Sequence, residues 1–241
     1  MKEEQKINGE ISVKDSKFLS WLDNFWYHYK WVTIIVAFFV IVALICIVQA
    51  CGNKPSDIIV TYAGGQYLSD DNKVSVENVL SASFSEDNED GKLDFGLSAY
   101  NIYTKEQIIA LEKETNFDGK KKYSINTAVN TEQMSTFQNQ LGTGSGSILL
   151  MDKELYEFMF NADGETERLM PLSEVLGETP SGAIDAYAVR LGDTDMYKNN
   201  RSIRCLPADT VICLHKKIIS QRQSDYDVEI DAFKAFIKVT D

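Results

Sequence analysis

The sequence contains few of the residues that metal and thiol enzymes use. It has four cysteines and two histidines among 241 residues. The cysteines form no CxxC pair, which argues against zinc ribbons and thioredoxin-like redox chemistry. His215 is the one histidine after the long apolar segment, and no GxSxG motif is present to expose a nucleophilic serine. We therefore expect His215 to be structural or simply exposed, and we predict a protein that is not an enzyme and carries no cofactor.

Positive charge is also scarce. The chain has 24 basic and 36 acidic residues, a net charge of −12. Five lysines and five acidic residues cancel before residue 31, so the later part contains 19 basic and 31 acidic residues. Because an acidic domain repels nucleic acid backbones and anionic lipid surfaces, we predict that neither is a partner of this later part.

Charge is absent from Trp31 to Asn53. About 20 helical residues, at about 1.5 Å each, cross the roughly 30 Å hydrocarbon core of a bilayer. Thr33 and Gln49 are the only strongly polar side chains here, and they lie near opposite ends. The sequence therefore predicts a transmembrane helix at residues 31–51 that contacts membrane lipid.

The segment at residues 1–30 is predicted to be cytoplasmic. Its last part, residues 20–30, is rich in aromatic residues that favour the headgroup layer, and we interpret it as an amphipathic lead-in at the membrane surface. Five lysines precede the apolar run, whereas only Lys54 and Lys73 fall within about 20 residues after it. The positive-inside rule thus predicts a single-pass protein of the cell membrane with its C-terminal domain outside the cytoplasm.

A second interpretation concerns the end of the apolar run. Residues 48–51, Val-Gln-Ala-Cys, resemble a lipobox, in which the cysteine is lipidated and becomes the new N-terminus. In that case Cys51 would carry the anchor. Either interpretation tethers the same domain on the same side of the membrane.

After a linker at residues 52–57, alternating strand and helix patterns predict one α/β domain with a mixed sheet at residues 58–241. Residues 74–84 fit a helix or a strand, and the turn-rich residues 86–91 before a strand at 93–97 suggest a hairpin. The predicted strands are 58–63, 93–97, 123–129, 147–151, 186–191 and 210–215. The predicted helices are 104–115, from Asn130 or Thr131 to 141, 152–160, 173–176 and from Asp225 or Asp227 to 237.

The glycine-rich segment at residues 142–146 does not fit a phosphate loop. Phosphate loops follow a strand and open a helix, but here a helix precedes the loop and a strand follows it. No Lys-Ser/Thr pair follows either. If the domain is a solute receptor, we expect Tyr62, Gly64 and residues from Gly142 to Ser145 to bind the ligand at strand ends.

The acidic segment at residues 86–94 partly matches a calcium loop. Oxygen ligands would come from Glu86, Asn88, Asp90 and Asp94, with Gly91 at the sharp turn. Leu97 stands at the twelfth position, where calcium loops have a bidentate glutamate, so an acidic hairpin turn is the alternative.

Cys205 and Cys213 flank a seven-residue segment. A hairpin centred on Asp209 would place them opposite each other, and the oxidising side of a membrane permits a disulfide. Two buried thiols are the alternative, because cross-strand disulfides are often strained.

Residues 123–176 resemble part of an extracellular solute-binding protein. The resemblance rests on a helix at 131–141, a glycine turn at 142–146, a strand at 148–152, a helix at 155–160 and Met170-Pro171-Leu172. Ser147 stands where that family often has Asp. Two full lobes need more residues than the 188 that follow residue 53, so the resemblance implies one lobe or a trimmed pair.

The whole chain, including residues 23–31 before the apolar run and residues 206–210 near the end, also resembles uncharacterised single-pass proteins of clostridia-like Gram-positive bacteria. That similarity implies location and topology.

Three functional hypotheses follow. The first is a non-enzymatic anchored domain that binds an envelope protein or a ligand. The second is a solute receptor for a transporter, and the third is an envelope hydrolase that uses paired carboxylates.

Overall fold

The computed structural model describes residues 17–52, 56–85, 93–161, 165–180 and 182–239. Its contacts divide the chain into two compact units, Met1–Pro55 and Ser56–Asp241. The first unit contains one long helix. The second contains the sheet and the remaining helices.

The long helix, α1, extends from Lys17 to Gly52. No proline or glycine interrupts it before Gly52, so it is one continuous helix of 36 residues. The predicted amphipathic segment at residues 20–30 and the predicted transmembrane segment at residues 31–51 therefore belong to the same continuous helix. Asn24–Val48 has a mean hydropathy of 3.2 and is not buried, so α1 is long and apolar enough to cross a membrane. A signal sequence near the N-terminus would satisfy the same criteria of length and hydropathy.

The second unit is built on a mixed sheet, as the sequence predicts, and this sheet has five strands. The strand order is β2-β1-β3-β5-β4. β1 pairs in parallel with β2 and β3, whereas β5 is antiparallel to both β3 and β4. The strands are β1 Ile58–Gly64, β2 Phe95–Asn101, β3 Ile148–Met151, β4 Ala188–Arg190 and β5 Val211–Leu214.

Helices cover both faces of this sheet. α2 and α8 pack on one face, where Leu80, Phe233 and Phe236 are buried, while Phe137 of α4 and Tyr156 of α5 pack on the other. Each buried side chain of this size contributes about 1.5–3 kcal/mol. The helices are α2 Asp70–Ser85, α3 Lys105–Lys113, α4 Thr127–Thr143, α5 Lys153–Tyr156, α6 Leu172–Leu176, α7 Asp195–Asn199 and α8 Gln223–Phe236.

Local sequence signals predicted the start of α3 and the buried face of α4 correctly. Thr104 followed three residues later by Gln107 is a capping-box pattern: the Thr104 hydroxyl accepts a hydrogen bond from the Gln107 N–H, and the Gln107 side chain accepts one from the Thr104 N–H. Phe137 and Leu141 lie four residues apart, a helical spacing, and both are buried on one face of α4. Gly144 rather than Gly142 terminates α4, with a left-handed backbone.

One predicted hairpin and one predicted strand are wrong. Residues 74–84, which fit either a helix or a strand, belong to helix α2, and β2 pairs in parallel with β1, so the predicted hairpin does not form. A parallel pair needs a crossover connection, which α2 supplies. Residues 123–129 are not a strand either, because α4 begins at Thr127 and Asn126 caps it by accepting from the Ala128 and Val129 N–H groups.

The predicted hairpin around Asp209 is also absent. Cys205 lies in a 3-10 turn at Ser202–Cys205, whereas Cys213 lies in the middle of β5. Cys213 belongs to the apolar layer on one face of the sheet, and Cys205 packs against the layer on the other. Both are free thiols, because the sheet lies between them.

Candidate functional site

The parallel strands β1, β2 and β3 end at one edge of the sheet, which we call the carboxyl edge. From β1 the chain crosses to β2 on one side, and β3 continues to the other side of the sheet. This reversal between β1 and β3 is a topological switch point, where α/β sheets of this kind bind ligands. The carboxyl edge is therefore the first place to look for a site.

Asp152 occupies the switch point directly after β3. Its Oδ2 accepts a hydrogen bond from the Gly65 N–H at 2.8 Å and another from the Gln107 side chain at 3.3 Å. Burial raises the pKa of the Asp152 carboxyl, and the two hydrogen bonds oppose that shift. Asp152 thus holds the loop after β1 against the start of α3.

Tyr62 and Gly64 also contribute to close packing at this edge. Tyr62 is 1% exposed, and its hydroxyl accepts a hydrogen bond from the Gln66 N–H at 3.2 Å. A Cβ added to Gly64 would lie 2.8 Å from the Tyr62 hydroxyl and 2.9 Å from the Asp152 Cβ. Burial raises the pKa of Tyr62, so its phenol stays neutral. The protein's own side chains therefore fill the switch point.

The other two predicted ligand residues lie elsewhere. Gly142 is near the end of α4 and Ser145 precedes β3, so both lie at the opposite, amino edge of the sheet. The seven residues of β1 separate the two edges by roughly 20 Å. β3 runs parallel to β1, so the residues that precede β3 must lie at the amino edge, whereas the residues at the end of β1 lie at the carboxyl edge. Tyr62 and Gly64 therefore do not form one site with Gly142 and Ser145.

Two adjoining clefts lie beside β2, near the carboxyl edge. Their volumes are about 230 and 240 Å³, and Asn101 and Val129 line both. Each is smaller than the roughly 300–1,000 Å³ of typical small-molecule pockets. The first cleft is lined by Gln66, Tyr67, Leu68, Lys73, Ala99, Tyr100, Asn101, Val129 and Gln133. The second is lined by Asn101, Tyr103, Ser124, Ile125, Asn126, Val129 and Asn130.

Amide and aromatic side chains dominate these clefts. Tyr67 is 73% exposed and Val129 is 49% exposed, so an apolar contact surface lies beside several hydrogen-bonding amides. This combination suits a polar, uncharged or polypeptide ligand. Sequence reasoning missed these residues because they come from four separate segments, and because the sequence predicts a strand at 123–129, where the structure has the start of α4.

No family model, curated protein or solved structure matches this chain. The function must therefore be inferred from the geometry of the chain itself.

The remaining predicted sites are structural or lie outside the described residues. His215 is 8% exposed, its Nδ1 lies 2.8 Å from the Lys216 carbonyl oxygen, and burial lowers its pKa, so the ring stays neutral. Glu86, Asn88 and Asp90 lie outside the described residues, as does the side chain of Cys51. Within the described ranges, no three His, Cys, Asp or Glu residues are close enough to hold a metal ion.

A buried acid lies at the amino edge. Glu229 of α8 is 7% exposed, and its carboxyl group accepts hydrogen bonds from Ser147 and from the Gln221 side chain, the latter at 2.8 Å. Burial raises the pKa of Glu229 and the nearby Asp225 adds to the shift, while the hydrogen bonds oppose it. The Gln221 Oε1 is buried without a hydrogen-bond partner among the described residues.

We expect Glu229→Gln to stabilise the domain at neutral pH. A raised pKa means that the folded protein favours the protonated acid, so the wild-type stability falls as pH rises above about 4.5, the ordinary value for Glu. The neutral amide lacks this loss, and its Oε1 can still accept a hydrogen bond from the Gln221 side chain.

Urea unfolding between pH 4 and pH 8 measures this effect. The difference in free energy of unfolding between Glu229→Gln and wild type should grow in favour of the variant as pH rises. Glu132→Gln, at an exposed position on α4, is the control and should show no such trend. A difference independent of pH would contradict the raised pKa.

Proposed function

We propose that this protein is a single-pass, membrane-anchored domain that binds an envelope protein outside the cytoplasm without catalysing a reaction. The length and hydropathy of α1 support the anchor. The excess of lysines before the apolar run supports the orientation.

The shape of the carboxyl edge is the main observation behind this proposal. Asp152 and Tyr103 occupy the place where an α/β sheet would normally hold a ligand, and both hydrogen-bond to Gly65. What remains open is shallow, small in volume and flanked by the exposed Tyr67. Such a surface suits a macromolecule that contacts it from outside better than a solute that must be enclosed.

The number of sheets among the described residues also favours an envelope protein as the partner. Residues 56–239, as far as they are described, contain one five-stranded sheet, which is consistent with the single lobe that the resemblance implies. In the two-lobed arrangement that the sequence resembles, a facing lobe closes over the solute. With a single lobe, an envelope protein would supply the second contact surface.

Site-specific photocrosslinking in intact cells tests the proposal. A benzoylphenylalanine at Tyr67 should give one discrete adduct with an envelope protein, because this side chain is exposed beside the clefts. The matched control is Val228 on α8, which is exposed and does not line either cleft. We expect no adduct from that position.

The solute-receptor alternative predicts a different result. Amino acids, sugars and short peptides would be added singly to the purified chain in detergent, and the melting temperature recorded. A stabilisation of several degrees by one solute, with no adduct at Tyr67, would replace the proposed function with solute binding. Equal adducts at Tyr67 and Val228 would mean nonspecific contact and would also contradict the proposal.

A further inference from the structure

β2 is an outer strand of the sheet, so among the described residues one of its two edges has no neighbouring strand. Its even-numbered residues face β1, since the Asp94 carbonyl accepts from the Ile58 N–H and the Ile102 N–H donates to the Gly64 carbonyl. Backbone groups alternate in direction along a strand, so the odd-numbered residues direct their N–H and C=O groups away from β1. Unpaired groups of this kind can template the addition of another strand.

Side chains cover this free edge at two places. The Leu97 N–H donates to the Glu77 carboxylate of α2 at 2.8 Å. Beyond the end of β2, the Tyr103 N–H donates to the Asn130 Oδ1 at 2.8 Å, and the Asn130 amide donates back to the Tyr103 carbonyl at 3.0 Å. Asn130 therefore pairs with Tyr103 as a neighbouring strand would.

Between these two covered positions, the outward groups belong to Ala99 and Asn101. In the part of the chain that the structure describes, no group hydrogen-bonds to the Ala99 N–H or to the Asn101 backbone N–H. The 230 Å³ cleft lies over these same residues. Its walls come from opposite faces of the sheet, with Lys73 of α2 on one side and Val129 and Gln133 of α4 on the other.

We propose that an extended segment of the partner protein adds to the sheet as a sixth strand at Ala99–Asn101. The segment pairs its backbone with the outward groups of Ala99 and Asn101, and alternate side chains contact the exposed Tyr67 and Val129. This inference deepens the proposed function, on which it rests, by giving the chemical class of the partner's contact segment.

The shape of the edge favours a single segment over a second copy of this chain. Two copies joined through β2 would need a long, flat edge on each. Glu77 and Asn130 already hydrogen-bond to the positions on either side of the opening. Helices α2 and α4 line the opening from both faces, so a single extended segment fits between them where a folded copy does not.

The test uses the full chain in lipid nanodiscs and a phage-displayed library of linear nine-residue peptides as the probe. A selected peptide is synthesised, and its affinity is measured for wild type, Ala99→Pro and Ala99→Val. Proline removes the outward N–H and leaves the hydrogen bonds to β1 in place, because proline is tolerated in an edge strand where its nitrogen faces away from the sheet. Valine keeps the N–H. We expect at least tenfold weaker binding to Ala99→Pro and less than twofold change for Ala99→Val.

Two further measurements on the wild-type chain keep the test decisive if Ala99→Pro does not fold. Single N-methylations along the peptide should weaken binding at least tenfold at every second residue, because alternate amides pair in a strand. The hydrogen exchange of the Ala99 amide should slow at least tenfold when the peptide binds.

The contrary results are equally specific. If no peptide is selected, if N-methylation has no period of two, or if the Ala99 amide stays unprotected, strand addition is wrong. The crosslink at Tyr67 then decides the proposed function separately: an adduct that persists means that an envelope protein binds in another manner. Strand addition by peptides without that adduct would leave the edge site intact and overturn the envelope partner.

Discussion

Three arginines in the apolar helix, Val36→Arg, Val40→Arg and Leu44→Arg, are expected to release the protein from the membrane fraction. Insertion scales give about −0.3 to −0.6 kcal/mol for an apolar residue and about +2.5 to +3.5 kcal/mol for arginine near the helix centre. The three changes therefore cost about 8–12 kcal/mol, which is comparable to the roughly 6–12 kcal/mol that about 20 apolar residues contribute to insertion. Alkaline carbonate extraction followed by immunoblotting measures the shift to the soluble fraction.

The control carries leucine at Val36 and Val40 and keeps Leu44. It should stay entirely in the membrane pellet, because leucine preserves the hydropathy of Asn24–Val48. A C-terminal alkaline phosphatase fusion to the wild type should be active, since this enzyme folds only outside the cytoplasm. An inactive phosphatase fusion, or loss of an N-terminal tag by cleavage, would contradict the uncleaved single-pass anchor.

Gly146→Ala is expected to destabilise the α/β domain at residues 58–241 by about 2–5 kcal/mol. Gly146 has a φ of +84°, a left-handed conformation that costs roughly 1–2 kcal/mol for a residue with a Cβ. The added Cβ would also lie 2.6 Å from the Thr61 hydroxyl and 2.8 Å from the Ile59 carbonyl oxygen. Such overpacking costs about 1–3 kcal/mol more.

Gly142→Ala, four residues earlier, is expected to have the opposite effect. Gly142 lies within α4, and an added Cβ meets no atom within 4 Å. Alanine there should stabilise the domain by roughly 0.5–1 kcal/mol, because glycine loses more backbone freedom when a helix forms. Urea unfolding of the full chain in detergent, followed by circular dichroism, compares both variants. Equal effects would show that the two glycines have equivalent surroundings, contrary to the structure.

These two glycines show where sequence reasoning reached its limit. Both lie in the segment GTGSG, and the sequence predicts only a loop between a helix and a strand. The packing of Gly146 against Thr61 and Ile59 depends on β1, more than 80 residues earlier in the chain. A local pattern contains no information about such a contact.

The candidate site shows the same limit: some of its residues are recognisable from the sequence, but their arrangement is not. Asp152 after β3 and Gly64 at the end of β1 are recognisable from the apolar runs that precede them. Their pairing at one edge, and the distance of Gly142 and Ser145 from it, follow from the parallel direction of β3. The opening at Ala99 depends further on Glu77 and Asn130, which reach β2 from different helices.

By itself the sequence determined the apolar helix, the α/β class, the capping box at Thr104 and the buried stripe of α4. Each of these depends on neighbouring residues, through hydropathy, spacing or hydrogen bonds within one turn. Only the tertiary structure decided the parallel pairing of β2, the filled switch point and the free edge of the sheet. These depend on contacts between residues far apart in the chain, whose partners are chosen by packing of the whole core.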